Sequence, residues 1–315
     1  GVEGENLKGC YTGIDFLTRF ARWQQVGDIE KPYVGKNCAV IGGGNTAIDC
    51  VRTLVRLGAE NVAIVYRRTR KEMPANEVEI VAAEHEGVQF HFLAAPTQVI
   101  GDETGTVTGL EYLKMELGEP DASGRRRPVP LEGSETVMEI DMLVTAIGQG
   151  PDVSFTQKDK SLEGLELTRW QTFEADPEIL QCSIPNIFAA GDAYTGASLV
   201  VTAIGGGRRA ARAIHQYLNE ETPSPVPNSL QKKHIPESLF KTVTGVATKK
   251  RTPMPEMEVA ERIKSFDEAD LVISEADAKY ESDRCLNCCR LCYNPDQLAE
   301  VAIKAAMPEG AEASA

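Results

Sequence analysis

The chain has 315 residues, 42% hydrophobic and 25% charged, with a net charge of −14; this is the composition of a globular chain long enough for two domains. So acidic a balance excludes a nucleic-acid-binding face and adhesion to anionic lipid, both of which need a basic surface. No apolar run approaches the ~18 residues of a membrane-spanning helix, and residues 1–5 lack the basic and apolar stretches of an export signal, so the expected setting is the cytoplasm.

In chain order, residues 1–35 read as an inter-domain connector with one amphipathic helix at about Ile14–Trp23, where Phe16, Leu17, Phe20 and Trp23 share a face. Cys38-Ala39-Val40-Ile41 predicts a buried parallel strand. Gly42-Gly43-Gly44-Asn45 turns into a helix that runs to about Leu57, with Gly58 as its C-cap, and Val62–Tyr66 is the next strand. Together these form one β-α-β unit. A helix over Asn76–Glu86 and a strand over Val88–Phe92 follow. Gly105–Met115 and Thr136–Val144 alternate like antiparallel strands around a polar hairpin, and a short strand at Asp141–Ile147 ends in Gly148. Ile187-Phe188-Ala189-Ala190 is expected as one more buried strand, leading to Gly191-Asp192 and a long helix over Ala197–Leu218. Thr222-Pro223-Ser224-Pro225-Val226-Pro227 then opens an extended arm, followed by a tail rich in cysteine.

Gly42-Gly43-Gly44-Asn45-Thr46-Ala47 fits G-x-G-x-x-[GA]. The first glycine permits the tight turn, the second lets backbone approach a pyrophosphate, and the small Ala47 lets helix pack on strand; the N–H groups opening the helix face the anion. Set between two strands at this distance, the loop points to dinucleotide binding. A ribose 2′-OH is usually held by an acid at the end of the second strand. Here that place is basic, Tyr66-Arg67-Arg68-Thr69-Arg70-Lys71, and forked guanidiniums suit a 2′-phosphate. Arg67 and Arg68 therefore favour NADPH. Asp192, after an apolar segment and before a helix, is placed to accept hydrogen bonds from a flavin ribityl chain, with Thr145-Ala146-Ile147-Gly148 upstream as its companion motif.

These stretches resemble the glutamate synthase small-subunit family of NAD(P)H:FAD oxidoreductases, which have the pyridine nucleotide-disulfide oxidoreductase fold. The motifs that carry the resemblance are Val-Ile-Gly-Gly-Gly-Asn-Thr-Ala-Ile-Asp (40–49), Val-Tyr-Arg-Arg-Thr-Arg (65–70) and Phe-Ala-Ala-Gly-Asp (188–192), and it covers roughly residues 1–220. It implies an α/β chain with a Rossmann-like NAD(P)H-binding domain at 36–148 and the C-terminal part of a split FAD-binding domain at 149–221; beyond it, by composition, lie the Pro-rich arm and cysteine tail at 222–315. NADPH would bind through Gly42, Gly43, Gly44, Asn45, Thr46, Ala47, Arg67 and Arg68, and FAD through Gly148, Gly191 and Asp192. In this family the flavin's own glycine loop lies upstream, so an N-terminal FAD-binding segment is an expected partner. The resemblance further implies hydride transfer from NADPH to FAD, with electrons then passing to an iron–sulfur subunit or domain. No acid or base is assigned, because that transfer needs none. The competing reading is a non-catalytic nucleotide-binding scaffold subunit of a larger electron-transfer complex.

Cys285, Cys288, Cys289 and Cys292 lie within eight positions, a density that suggests metal or redox chemistry. The spacing resembles part of a [4Fe–4S] run, but the adjacent pair Cys288 and Cys289 fits one iron site poorly. Zinc and a cluster completed by a partner stay open. His85, His91, His215 and His234 show no ligand spacing. No cysteine stands between Arg52 and Gln181, so the nucleotide domain has no redox C-x-x-C of the thioredoxin-reductase kind.

Overall fold

Continuous apolar strands imply a sheet covered on both faces, and the first compact unit has that arrangement. The structure is a computed structural model that describes residues 2–120, 126–148, 150–225 and 250–284. Contacts divide the chain into two units, Gly1–Gly148 with Pro255–Leu271, and Gln149–Met254 with Val272–Ala315. Among the described residues, no helix is long and apolar enough to cross a membrane.

In the first unit β1 (Cys10–Thr12), β2 (Asn37–Ile41), β3 (Asn61–Tyr66), β4 (Gln89–Phe92) and β9 (Met142–Thr145) form a parallel sheet in the order β1-β9-β2-β3-β4. Successive side chains on a strand point to opposite faces. Cys38, Val40, Val62, Ile64, Met142 and Val144 accordingly meet helices α1 (Gly13–Ala21), α2 (Asn45–Leu57) and α3 (Glu77–His85). Ala39, Ile41, Val65 and Leu143 meet an antiparallel sheet of β5 (Ala94–Gly101), β6 (Val107–Pro120), β7 (Arg126–Pro130) and β8 (Thr136–Glu139). In α2 the predicted inward residues Ala47, Ile48, Val51 and Leu54 are buried, and Gly58 caps the helix at φ +103°.

Two expectations need correction. Residues 1–35 are more than a connector: Cys10–Thr12 is the edge strand of the parallel sheet, paired with β9, and Thr145 Oγ1 donates to the Tyr11 carbonyl 134 residues away. A three-residue strand is too short to show a period, so long-range pairing alone reveals it. Ile187–Ala190 is not a strand among the described residues. Its one bridge, Gln181↔Phe188, and the bonds Cys182 N→Ile187 O and Ala189 N→Leu180 O fold it onto its own upstream neighbour, and an apolar run becomes a strand only where a ladder forms. Finally, residues 255–271, which follow the expected arm at the start of the tail, pack on the helical face of the first unit.

That packing rests on Arg262, which is 2% exposed. Its Nε lies 3.0 Å from Oε1 of Glu86, a carboxylate with no solvent exposure. Arg52 Nη2 and Arg56 Nη1 reach the same carboxylate at 2.8 and 2.7 Å, and Arg262 also pairs with Glu256 at 2.5 Å. Charges buried as deeply as Glu86 and Arg262 are tolerable only because the three arginines and two glutamates of this cluster pair with one another. Phe266 stacks obliquely on Phe20 with centroids 4.6 Å apart.

In the second unit a one-turn helix α4 (Asp192–Thr195) precedes α5 (Val200–Leu218). Gly206 of α5 lies close against Ala190 and Gly191, within 3.5 Å of where its own β-carbon would stand. The helix thus seats directly on the Ala190–Gly191 turn.

Candidate functional site

The Gly42–Ala47 loop leaves the C-terminal end of β2 and enters α2, the place where parallel α/β sheets bind ligands. Gly42 has φ +142°, and a β-carbon there would run into the Ala146 carbonyl. Only glycine fits, because β9 passes so close that Ala146 N donates to Ile41 O at 2.7 Å. Gly44 is different. It is the N-cap of α2 at φ −91°, with no side-chain cap, and a β-carbon would find only Pro74 Cγ, 4.0 Å away. The protein's own packing leaves that space open at the N-terminus of α2, where the N–H groups of Asn45 and Thr46 have no intrahelical acceptor while Ala47 N and Ile48 N bond to Gly44 O. An open cradle above such donors fits an anion such as a pyrophosphate.

One wall of the cradle is the loop between β3 and α3. Ala75 N donates to Gly43 O at 3.1 Å, and Asn76 N donates to Asn45 Oδ1 at 2.9 Å. Asn45 is therefore spent on holding this wall. Thr46 packs near Gly13, at the start of α1. Ala47 is fully buried and provides the close contact expected of it.

At the end of β3 the two predicted arginines part company. Arg67 is exposed. Arg68 is 6% exposed, and its Nε donates to the carbonyl of Arg126 at 2.8 Å. Arg70 pairs with Glu77 at 2.8 Å and with Glu84, which leaves Arg67 and Lys71 as the exposed cations of this turn. Thr69 and Glu72 close a capping box, and the Glu72 carboxyl is held below its usual range by hydrogen bonds from Thr69. Sequence reasoning passed over Tyr66 and Ala146, which shape the glycine loop from below. Both stood inside segments already singled out, and only their contacts distinguish them.

Gly148 is exposed at φ +113°. In the second unit Gly191 adopts φ +62° and ψ −150° as the N-cap of α4, a region that in practice only glycine occupies. Asp192, exposed in the first turn of α4, has a carboxylate that takes no hydrogen bond from the described residues and so is open to a ligand's hydroxyls. Cys285, Cys288, Cys289 and Cys292 lie outside the described residues, and among the described residues no group of His, Cys, Asp or Glu is arranged to hold a metal.

The model of the family described as "Pyridine nucleotide-disulphide oxidoreductase" matches residues 1–207. The chain belongs to the pyridine nucleotide-disulphide oxidoreductase family. This pyridine nucleotide-disulphide oxidoreductase is 38% identical to the NADPH-Fe(3+) oxidoreductase subunit beta of Geobacter sulfurreducens, over 92% of this chain and 46% of the relative. It is 40% identical to the NADP(+)-dependent formate dehydrogenase subunit beta of Moorella thermoacetica, over 92% and 40%. With the glutamate synthase [NADPH] small chain of Azospirillum brasilense it shares 40% identity, over 69% and 47%. The chain thus spans less than half the length of each of these curated relatives. Among solved structures, Mycobacterium tuberculosis FprA in complex with NADPH shares the fold at a TM-score of 0.55 and 18% identity, over 70% of this chain and 61% of that one. The thioredoxin reductase of T. acidophilum does so at a TM-score of 0.51 and 21% identity, over 70% of this chain and 62% of that one.

Proposed function

We propose that this chain is the NADPH-oxidising flavin module of a larger electron-transfer assembly. The Gly42–Ala47 loop holds the nucleotide pyrophosphate and Arg67 holds the 2′-phosphate. The observation that carries this reading is the vacant volume over Gly44: a glycine with ordinary backbone angles, not required by any neighbour, at the mouth of an uncapped helix. The relatives' names, which specify NADPH or NADP(+) in all three cases, support the same ligand.

Asp192 would accept hydrogen bonds from the ribityl hydroxyls of FAD, and the Gly191 turn would let the isoalloxazine end approach α5. Bound together, the two cofactors would supply hydride-transfer chemistry from NADPH to FAD, with an iron–sulfur or partner-subunit acceptor taking the electrons onward. The residues of this chain would hold the nucleotide phosphates at Gly42–Ala47 and the flavin ribityl chain at Asp192; hydride transfer needs near-attack spacing of ~3–3.5 Å. Cys285, Cys288, Cys289 and Cys292 remain the candidates for an iron–sulfur site within the chain.

Titration with NADPH and NADH, followed by nucleotide fluorescence, tests the core of the proposal. Tighter binding of NADPH is expected, and Arg67→Ala should remove most of the preference, because a charged phosphate contact contributes about 1.5–3 kcal/mol. Equal affinities for the two nucleotides would overturn the assignment.

A further inference from the structure

In the first unit α1, α2 and α3 lie on one face of the parallel sheet, with α2 touching both of the others. Their N-terminal ends meet at the cradle. Thr46 packs near Gly13, the first residue of α1, and Asn45 at the start of α2 accepts from Asn76 N, the N-cap of α3, at 2.9 Å. Their C-terminal ends meet residues 255–271. Phe266 lies against Phe20 in the last turn of α1. Arg262 Nη2 donates to Ala82 O in the last turn of α3 at 3.4 Å, and its Nε lies 3.0 Å from Glu86, the C-cap of α3. Between these two anchors, Arg52 and Arg56 of α2 hold the same Glu86 carboxylate. The segment thus joins α1 to α3 across α2. It is also built as one piece: Met257 N donates to Ala269 O and Leu271 N to Pro255 O, both at 2.7 Å, beside the bridge Glu256↔Asp270. A loop closed at its own neck can keep its form whether or not it lies on the helices. Its hold on them is two side chains, and neither is beyond release, since the Glu256 partner of Arg262 is 38% exposed and Phe266 is only partly buried.

We propose that residues 255–271 form a clasp whose closure sets the affinity of the cradle for its nucleotide, with Arg262 as the positioning residue that acts through Glu86. This rests on the NADPH reading above and adds a means of regulation to it. α2 has 13 residues and is about 20 Å long, and a packed helix moves as a near-rigid rod, so its setting at Arg52 and Arg56 is also its setting at Gly44. With the clasp closed, α2 is confined between α1 and α3, and the Asn45–Asn76 bond fixes the wall of the cradle. With the clasp open, Arg52 and Arg56 keep their pairs with Glu86 and Glu79, but nothing in the segment ties α1 to α3 and the wall is less strictly placed. A pyrophosphate that uses both the N-terminus of α2 and that wall binds the closed form better, and its binding must in turn favour closure.

The test measures NADPH affinity by fluorescence titration, and amide hydrogen exchange of residues 258–266 with and without saturating NADPH, in the full chain and in R262A, F266A and G44V. R262A leaves Glu86 with Arg52 and Arg56, and Glu256 with solvent, so no buried charge is stranded and the chain should fold. F266A releases the other anchor without touching the charges. Each is expected to weaken NADPH by roughly five- to twentyfold, a moderate coupling between two sites. Saturating NADPH should slow exchange of residues 258–266 in the unmodified chain by a factor of the same order, because linkage is reciprocal, although these residues lie at the far end of α2 from the cradle. G44V, whose side chain fills the cradle, should show no such slowing. A segment that only stabilises the fold would lower the unfolding midpoints of R262A and F266A and leave NADPH affinity unchanged. Either variant binding NADPH as the unmodified chain does overturns the inference, and so does exchange that NADPH leaves unaltered in the unmodified chain. If G44V binds NADPH and slows exchange as fully as the unmodified chain, the nucleotide lies elsewhere, and the proposed site falls together with the clasp's role.

Discussion

The hydroxyl of Tyr66 donates to the carbonyl of Glu72 at 2.8 Å, and so holds the tyrosine ring under Gly43, where an added β-carbon would lie 2.6 Å from ring atom Cε2. The ring cannot swing away without breaking that bond, and at 8% exposure it has little room to move. Gly43→Ala should therefore destabilise the fold by about 1–3 kcal/mol, the usual range for overpacking. Thermal unfolding followed by circular dichroism checks this, and an unshifted midpoint would show that the loop yields more easily than its contacts imply.

Gly44 gives the opposite expectation. Gly44→Val places a side chain in open space on extended backbone, so the unfolding midpoint should change little. NADPH affinity should fall by more than about tenfold, because the branched side chain takes the volume assigned to the pyrophosphate. A folded Gly44→Val protein with undiminished NADPH binding would move the nucleotide away from this loop.

Burial alone would raise the pKa of Glu86, but hydrogen bonds and charge from Arg56 and Arg52 outweigh it, and the carboxyl is held below its ordinary value. A carboxyl with a depressed folded-state pKa stabilises the fold above the unfolded value, about 4.3. That contribution is lost as the pH falls through the lower folded value. Urea midpoints measured between pH 6 and pH 3 should fall, and fall less in Glu86→Gln. At pH 7 the Gln variant should be less stable by roughly 3–5 kcal/mol, the consequence of leaving buried guanidiniums without their carboxylate.

Cys38 and Cys50 are pushed up to about 12, by burial first and then by the nearby negative charges of Asp141 and Asp49 respectively. Iodoacetamide at pH 8 reacts with thiolate, so both should resist alkylation in the folded chain and react once it is unfolded. Peptide mass mapping before and after denaturation distinguishes the two states. Rapid labelling of either residue in the native protein would contradict their burial.

The β-α-β unit was legible because its signals are local and redundant: a four-residue apolar run, a glycine turn, an inward stripe of Ala47, Ile48, Val51 and Leu54, and a glycine cap. β1 and β7 were not, since Cys10-Tyr11-Thr12 and Arg126-Arg127-Pro128-Val129-Pro130 have no strand period and owe their form to partners far along the chain. Ile187–Ala190 shows the reverse, a strand-like composition with no ladder to join. At the site, the glycine spacing was readable, but the separate fates of Arg67 and Arg68 were not. Adjacent residues at a strand end point in different directions, and which of the two is buried depends on a hairpin that begins nearly 60 residues later. Arg262 was missed for a similar reason. A proline-rich approach and a charged composition look like solvent-facing chain until a buried carboxylate on another element gives the guanidinium its place.

The Glu86 cluster also has a meaning in time. Ala82 and Arg262, joined by a hydrogen bond, stand 180 residues apart. At a synthesis rate of roughly 5–20 residues per second, a growing chain waits about 10–40 s between making α3 and making the arginine that closes over it. Through that interval Phe20 has Trp23 but not Phe266 beside it, and among the described residues Glu86 has Arg52 and Arg56 of α2 but not Arg262. The parallel sheet and its helices can be made early, but they are sealed late, by an arginine 180 residues further along.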